Sequence, residues 1–145
     1  MYELAGGCHC GNIKVTYKTS IAPEDAQPRA CQCSFCRKHQ SRAISDPGGA
    51  LTFTINDESG VNRYTFGLGS CQFLVCNNCG VYVGAYMPDP DDAHGFGTLM
   101  ANALDDQGRY PQASPTVYDG EDGEGKRDRR RRVWTPAVLE TRTSA

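Results

Sequence analysis

Apolar and polar positions alternate with a period of two over much of the chain, the pattern of strands with one buried face. "NIKVTY" sets Ile13, Val15 and Tyr17 against Asn12, Lys14 and Thr16. "ALTFTI" sets Leu51, Phe53 and Ile55 against small or polar partners. "NRYTF" and "CQFLV" read as two short strands around the breaker "GLG". "VYVGAY" alternates again, which predicts Val81, Val83 and Ala85 on one face and Tyr82 and Tyr86 on the other. Helical signals are weak: "SFCRKHQ" is one, and "TLMANAL" reads equally as helix or strand. Between Met87 and Thr116 the Pro, Gly, Asp and Asn residues predict a loop-rich stretch. No repeat of fixed period and no long linker divides the chain, so residues 1–145 are expected to form one mainly antiparallel β domain.

Composition narrows the class. At 145 residues, 39% hydrophobic and 22% charged, the chain can bury a core without covalent staples. No apolar run reaches the roughly 18 residues a membrane-spanning helix needs, and the opening "MYELAGGCHC" lacks the basic and apolar regions of a secretory signal. A cytoplasmic, reducing environment is therefore expected, where clustered thiols bind metal or do chemistry more often than they cross-link. The net charge of −2 gives no general attraction to nucleic acid, and neither nucleic acid nor membrane is expected as a partner. One basic run, "KRDRRRR" from Lys126 to Arg132, follows an acidic, Gly-rich turn. It is expected to form a solvated face or loop edge paired with that turn, with anion binding as the other reading.

The eight cysteines change the picture most. They fall into "CHC" (Cys8, Cys10), "CQCSFC" (Cys31, Cys33, Cys36), "CNNCG" (Cys76, Cys79) and the isolated Cys71. Two short pairs far apart in sequence are the signal of a tetrathiolate site, because neither pair can complete a tetrahedron alone. Cys8, Cys10, Cys76 and Cys79 are therefore assigned to a structural zinc, with Gly80 permitting the tight turn after Cys79. In an extended chain residues i and i+2 share a face, which lets each C-x-C reach one ion and turns His9 away. Cys31, Cys33 and Cys36 remain as a second, three-thiol set. Its fourth position is open to water or an incoming thiol unless Cys71 or His39 closes it, and open positions mark catalytic zinc sites. A sulfur-rich site suits zinc and exchange of a substrate thiol, and this second zinc is expected to be the weaker and exchangeable one. Cys71, with apolar neighbours and no partner at ligand spacing, is expected to be a buried free thiol.

This framework, C-x-C, then C-x-C-x-x-C, then C-x-x-C-G, resembles that of the glutathione-dependent formaldehyde-activating enzyme family, which includes centromere protein V. The resemblance runs from about Gly6 to Arg109. It implies an Mss4-like β-tent, antiparallel sheets stapled by zinc. It also implies a structural zinc on Cys8, Cys10, Cys76 and Cys79 and a catalytic zinc on Cys31, Cys33 and Cys36. The implied activity is that of a carbon–sulfur lyase: glutathione and formaldehyde combine to S-hydroxymethylglutathione, with the thiol activated at the three-cysteine zinc. A thiol or protein binding module without turnover, and a purely structural zinc protein, are the alternatives. The partners implied are glutathione or another small thiol and a small aldehyde, with a homodimer also entertained. Arg37, Lys38 and Arg42 in "RKHQSRA" are candidates to hold the carboxylates of such a thiol, and Tyr82 and Tyr86 to line a pocket wall. The sequence departs from the family where "CQFLVC" displaces an aromatic, Phe73, from the position before Cys76.

Overall fold

The computed structural model describes residues 1–67, 69–90, 94–116 and 122–142. Leu68 of the "GLG" breaker and residues 119–121 of the acidic turn lie outside them. In chain order the elements are β1 (Tyr2–Gly7), β2 (Ile13–Thr19), β3 (Arg29–Cys31), α1 (Ser34–Arg37), β4 (Ala43–Ile44), β5 (Ala50–Ile55) and β6 (Val61–Tyr64). Then come β7 (Gln72–Cys76), β8 (Tyr82–Pro88), β9 (Gly95–Met100), β10 (Ser114–Thr116), α2 (Gly123–Val133) and β11 (Thr135–Thr141). Short 3-10 turns fill several of the connections.

The segments "NIKVTY" and "ALTFTI" become strands whose buried residues are the expected ones. Ile13, Val15 and Tyr17 of β2 stand opposite Ile55, Phe53 and Leu51 of β5, and these six side chains sit in the main core. Such cross-strand pairs, closely spaced on one buried face, are the unit of sheet stabilisation. Leu4, Leu74, Val83, Leu99 and Leu104 complete the same core.

The sheet branches at β9. One edge of β9 carries β8, followed by β7 and β6. The other edge is shared: Gly95–Gly97 pair with β11, which continues to β5, β2 and β1, while Leu99 and Met100 pair with β4, which continues to β3 and β10. Most pairings are antiparallel, but β11 runs parallel to β5 and β10 runs parallel to β3. Parallel neighbours need long crossovers, and local periodicity does not report which distant strand a segment joins. The stretch from Met87 to Thr116, expected to be loop-rich, includes the central strand β9, and "TLMANAL" resolves into strand followed by a 3-10 turn at Ala101–Ala103.

Both faces of the β7–β8–β9 region are covered, and this places the site. Leu74, Val83 and Leu99 enter the main core. Phe73, Ala85, Met87 and Phe96 pack with Cys71 and Trp134 on the opposite side, while Tyr82, Met100 and Ala43 pack there with Phe35 and Val75. The expected strict alternation of "VYVGAY" fails at a bulge. The register against β7 jumps from Val75↔Tyr82 to Leu74↔Gly84. Val83 lies in the main core, and a Cβ on Gly84 would come within 3.0 Å of the Phe53 ring, so both residues face that core. The extra residue reverses the facing of everything after it. Tyr82 and Tyr86, expected on one face, are thus on opposite faces: Tyr86 belongs to the main core and Tyr82 to the other side.

Candidate metal centre and cavity

Two sulfur clusters form, with the membership expected from spacing. In each of the sets Cys8, Cys10, Cys76, Cys79 and Cys31, Cys33, Cys36 the Sγ atoms lie within 4.8 Å of one another. The first set is built from two facing turns. β1 ends at Gly7, and the chain turns through Cys8–Gly11, with the Gly11 amide donating to the Cys8 carbonyl at 3.2 Å. The C-x-C pair is therefore presented by a tight turn rather than by the extended strand that the spacing argument assumed. Gly11 takes φ +88°, a conformation that favours glycine. The second turn follows β7: the Gly80 amide donates to the Cys76 carbonyl at 2.9 Å, and Gly80 takes φ +80°.

Backbone amides point at the sulfurs of both turns. Ile13 N–H donates to Cys8 Sγ at 3.2 Å and Cys79 N–H to Cys76 Sγ at 3.5 Å. Cys8 and Cys10 Sγ are 3.7 Å apart, and Cys10 and Cys76 Sγ are 3.5 Å apart. A tetrahedral ion with Zn–S bonds of 2.3 Å separates its sulfurs by about 3.8 Å, so the four donors fit one zinc-sized ion. As bare thiols they are mismatched. Burial pushes Cys8 up to about 12, whereas hydrogen bonding, first to Asn78, draws Cys10 down to about 6.

The second cluster is built differently. Cys31 ends β3, and Cys33 is the extended residue that caps α1, so here the i, i+2 argument applies as written. The single turn of α1 returns Cys36, whose backbone N–H donates to Cys33 Sγ at 3.4 Å. Hydrogen bonds from the Cys31 and Cys36 thiols pull Cys33 down to about 2, while contact with Cys33 pushes Cys31 up and contacts with Cys31 and then Cys33 push Cys36 up. One negative charge is accommodated and the next two are opposed, unless a cation neutralises the set. Three soft donors this close together can coordinate a metal ion, and a tetrahedral ion held by them would have one further position.

His39 does not join the cluster. Its ring lies against Phe35 at 4.6 Å and Tyr82 at 5.2 Å. Cys71 also stays outside the metal-ligating set. It is buried beside Ala85, Met87 and Trp134, which raises its pKa. Its burial as a free thiol matches the expectation from its neighbours.

The three thiols open into a cavity of about 570 Å³, which Cys71 also lines. Phe66, Phe73, Tyr82 and Trp134 give it apolar walls. Phe35 backs this wall, with ring centroids 4.7 Å from Phe73 and 5.0 Å from Tyr82. Five cationic side chains line the same cavity, Arg29, Arg37, Lys126, Arg129 and Arg130, and no carboxylate does so among the described residues.

Of the three cations expected to hold an anion, the structure brings one to this cavity, Arg37. Lys38 is exposed and is not among the lining residues. Arg42 is instead committed elsewhere: its guanidinium donates to Asn102 Oδ1 at 2.6 Å and to the carbonyl oxygens of Gln107, Tyr110 and Pro111. It clamps the connection between β9 and β10.

The basic run, expected as a solvated face or loop edge with anion binding as the other reading, is the helix α2, and it forms part of the cavity wall. Asp122 caps it, Oδ1 accepting from the Gly125 amide at 2.7 Å. Lys126, Arg129 and Arg130 are spaced i, i+3 and i+4, which puts them on one helical face. Arg130 is buried, donates to Ser70 Oγ at 2.7 Å and stacks 4.9 Å from the Trp134 ring centroid. In a helical "KRDRRRR" only residues three or four apart share a face. Which face meets the cavity depends on Ser70 and Trp134, which are distant in sequence or beyond the run.

The model of the family described as "Glutathione-dependent formaldehyde-activating enzyme" matches residues 3–119. Among solved structures, a crystal structure of a Rhodobacter sphaeroides protein is similar, with a TM-score of 0.49 and 21% sequence identity. The match covers 70% of this chain and 88% of that one.

Proposed function

The chain belongs to the glutathione-dependent formaldehyde-activating enzyme family, and from that premise we propose that it binds a small acidic thiol, of the glutathione type, at a metal held by Cys31, Cys33 and Cys36. The observation that carries this reading is the meeting of three thiols with five cations and no described carboxylate around one cavity. Zinc bound there supplies a Lewis acid that lowers the pKa of a neighbouring thiol. The chain's own residues do the rest. Arg37 offers a planar, bidentate partner to a carboxylate, and Phe73, Tyr82 and Trp134 give the cavity apolar walls that strengthen its electrostatics. The Cys8, Cys10, Cys76, Cys79 site holds a second zinc whose role is structural.

A second reading adds turnover, and the family description favours it. The thiol sulfur would form a bond to the carbon of a small aldehyde as the carbonyl π bond breaks, the thiol proton ending on the former carbonyl oxygen. The reverse direction is a carbon–sulfur lyase reaction. The deciding experiment is calorimetric titration of zinc into partly depleted, reduced protein, with and without glutathione. Glutathione should change zinc affinity in the wild type and leave it unchanged in Cys33→Ser. Absence of coupling in the wild type would remove both the binding and the enzymatic reading. Where coupling is found, adduct formation from added formaldehyde, measured against a zinc-free control, separates turnover from binding.

A further inference from the structure

Helix α2 lies beyond the segment matched by the family model, which ends at residue 119, yet it closes the cavity that holds the three thiols. It is an improbable helix by its side chains alone. Like charges three and four residues apart oppose helix formation, and Lys126, Arg129 and Arg130 are so spaced. Tertiary contacts hold it in place. Arg130 is fastened to Ser70 and Trp134, and Arg131 reaches Asp89 at 3.7 Å. Arg131 also pairs with Asp128 at 3.6 Å on the outward side. With Arg130 and Arg131 serving as anchors, Lys126 is left half-buried at the cavity, and among the described residues it has no ion-pair partner. Arg37 enters the same cavity from α1, next to Cys36, and is likewise without an ion-pair partner among the described residues.

The geometry points to a two-cation recognition element, Lys126 on α2 and Arg37 on α1, that selects thiols carrying two carboxylates. This rests on the thiol-binding reading for the sulfur end, and it adds which part of the chain reads the other end of the ligand. α2 is then a specificity element: it is positioned by Arg130 and Trp134, and it contributes charge rather than metal ligands.

S-methylglutathione tests this directly, because it keeps both carboxylates and has no thiol to reach a metal. Its binding to reduced, zinc-supplemented protein is measured by calorimetry beside its diethyl ester. The ester should bind at least about tenfold more weakly, as expected for lost charge-assisted hydrogen bonds. Lys126→Ala should weaken the acid by about tenfold and leave the ester unchanged. Lys126→Arg should restore most of the loss, and Arg37→Ala combined with Lys126→Ala should bring the acid close to the ester. An unchanged melting temperature in Lys126→Ala shows that the helix persists. Equal binding of acid and ester to the wild type, no binding of the acid, or an equal loss of both in Lys126→Ala overturns the inference. Glutathione–zinc coupling that survives such a result leaves the thiol-binding reading standing. Lys126-dependent binding of S-methylglutathione without that coupling keeps the anion site and removes the thiol reading.

Discussion

The two sulfur clusters of this chain are built in opposite ways. Cys8, Cys10, Cys76 and Cys79 come from two facing turns, each tightened by a positive-φ glycine, and they join the start of β2 to the end of β7. Three of the four pack into or against the main core. Cys31, Cys33 and Cys36 come from one strand end and one helical turn within six residues, and they face a cavity. The first cluster links segments more than sixty residues apart, so a metal there closes a long loop and restrains the fold. The second closes only a local loop, and its metal adds little to chain restraint. The comparison teaches that the two clusters differ in what their ligands connect as well as in ligand number, four against three.

The largest expected effect divides the two clusters. Cys79→Ser should release the first metal and unfold the domain, because structural zinc contributes ~10–16 kcal/mol of apparent binding energy in small modules. Cys33→Ser should release the second metal and change stability by less than about 1 kcal/mol. Thermal unfolding and metal content of both purified variants check the pair. Similar losses in the two variants would erase the distinction.

A smaller effect is expected where core and cavity share one strand. Gly84 sits at the β8 bulge, and a Cβ there would lie 2.6 Å from the Thr98 carbonyl oxygen and 3.0 Å from the Phe53 ring. Gly84→Ala should cost about 1–3 kcal/mol by overpacking. It should also shift Tyr82, which lines the cavity, and so weaken ligand binding there without touching a sulfur. Chemical denaturation, with metal content measured alongside, gives the test.

Cys71 sharpens the comparison from the other side, as a cavity thiol outside both clusters. Cys71→Ala should cost about 1 kcal/mol from lost packing against Trp134 and Met87. Metal stoichiometry and the thiolate-to-cobalt charge-transfer band of the cobalt-substituted protein should stay as in the wild type. Loss of that band would make Cys71 a fourth ligand and close the second site.

The smallest expected effect is electrostatic and lies beside the first cluster. Arg63 of β6 holds Glu58 with contacts of 2.7 and 2.9 Å, and β6 pairs with the strand carrying Cys76. The Arg63 guanidinium lowers the Glu58 pKa below 4.5. The folded pKa is the depressed one, so the contribution is present above the unfolded value and is lost as pH falls through the folded value. Both groups are partly exposed, which limits it to less than about 1 kcal/mol. Glu58→Gln should remove that acid-side slope by lowering stability at neutral pH by less than about 1 kcal/mol while leaving stability below the folded Glu58 pKa as it was, measured by denaturation across the pH range.

The amino-acid sequence determined the pieces that depend on neighbours along the chain. The period of two in "NIKVTY" and "ALTFTI" reports a buried face directly, because alternate side chains on a strand point the same way. The 4 + 3 grouping of seven thiols was legible for a related reason: short cysteine spacings leave few ways to complete a tetrahedron. Tertiary structure alone decided what depends on a partner far away. One inserted residue at Val83–Gly84 turns Tyr82 toward the cavity and Tyr86 into the core, a choice made by pairing with β7. Arg42 finds its acceptors on the chain after β9, so a basic segment that reads as uniform delivers only Arg37 to the cavity. Lys126 becomes a cavity residue because Ser70 and Trp134 capture Arg130 and so set the helix rotation. A charge run carries no information about its own facing. Only a packed neighbour, through a buried hydrogen bond and a stacked ring, makes one rotation of that helix cheaper than the others.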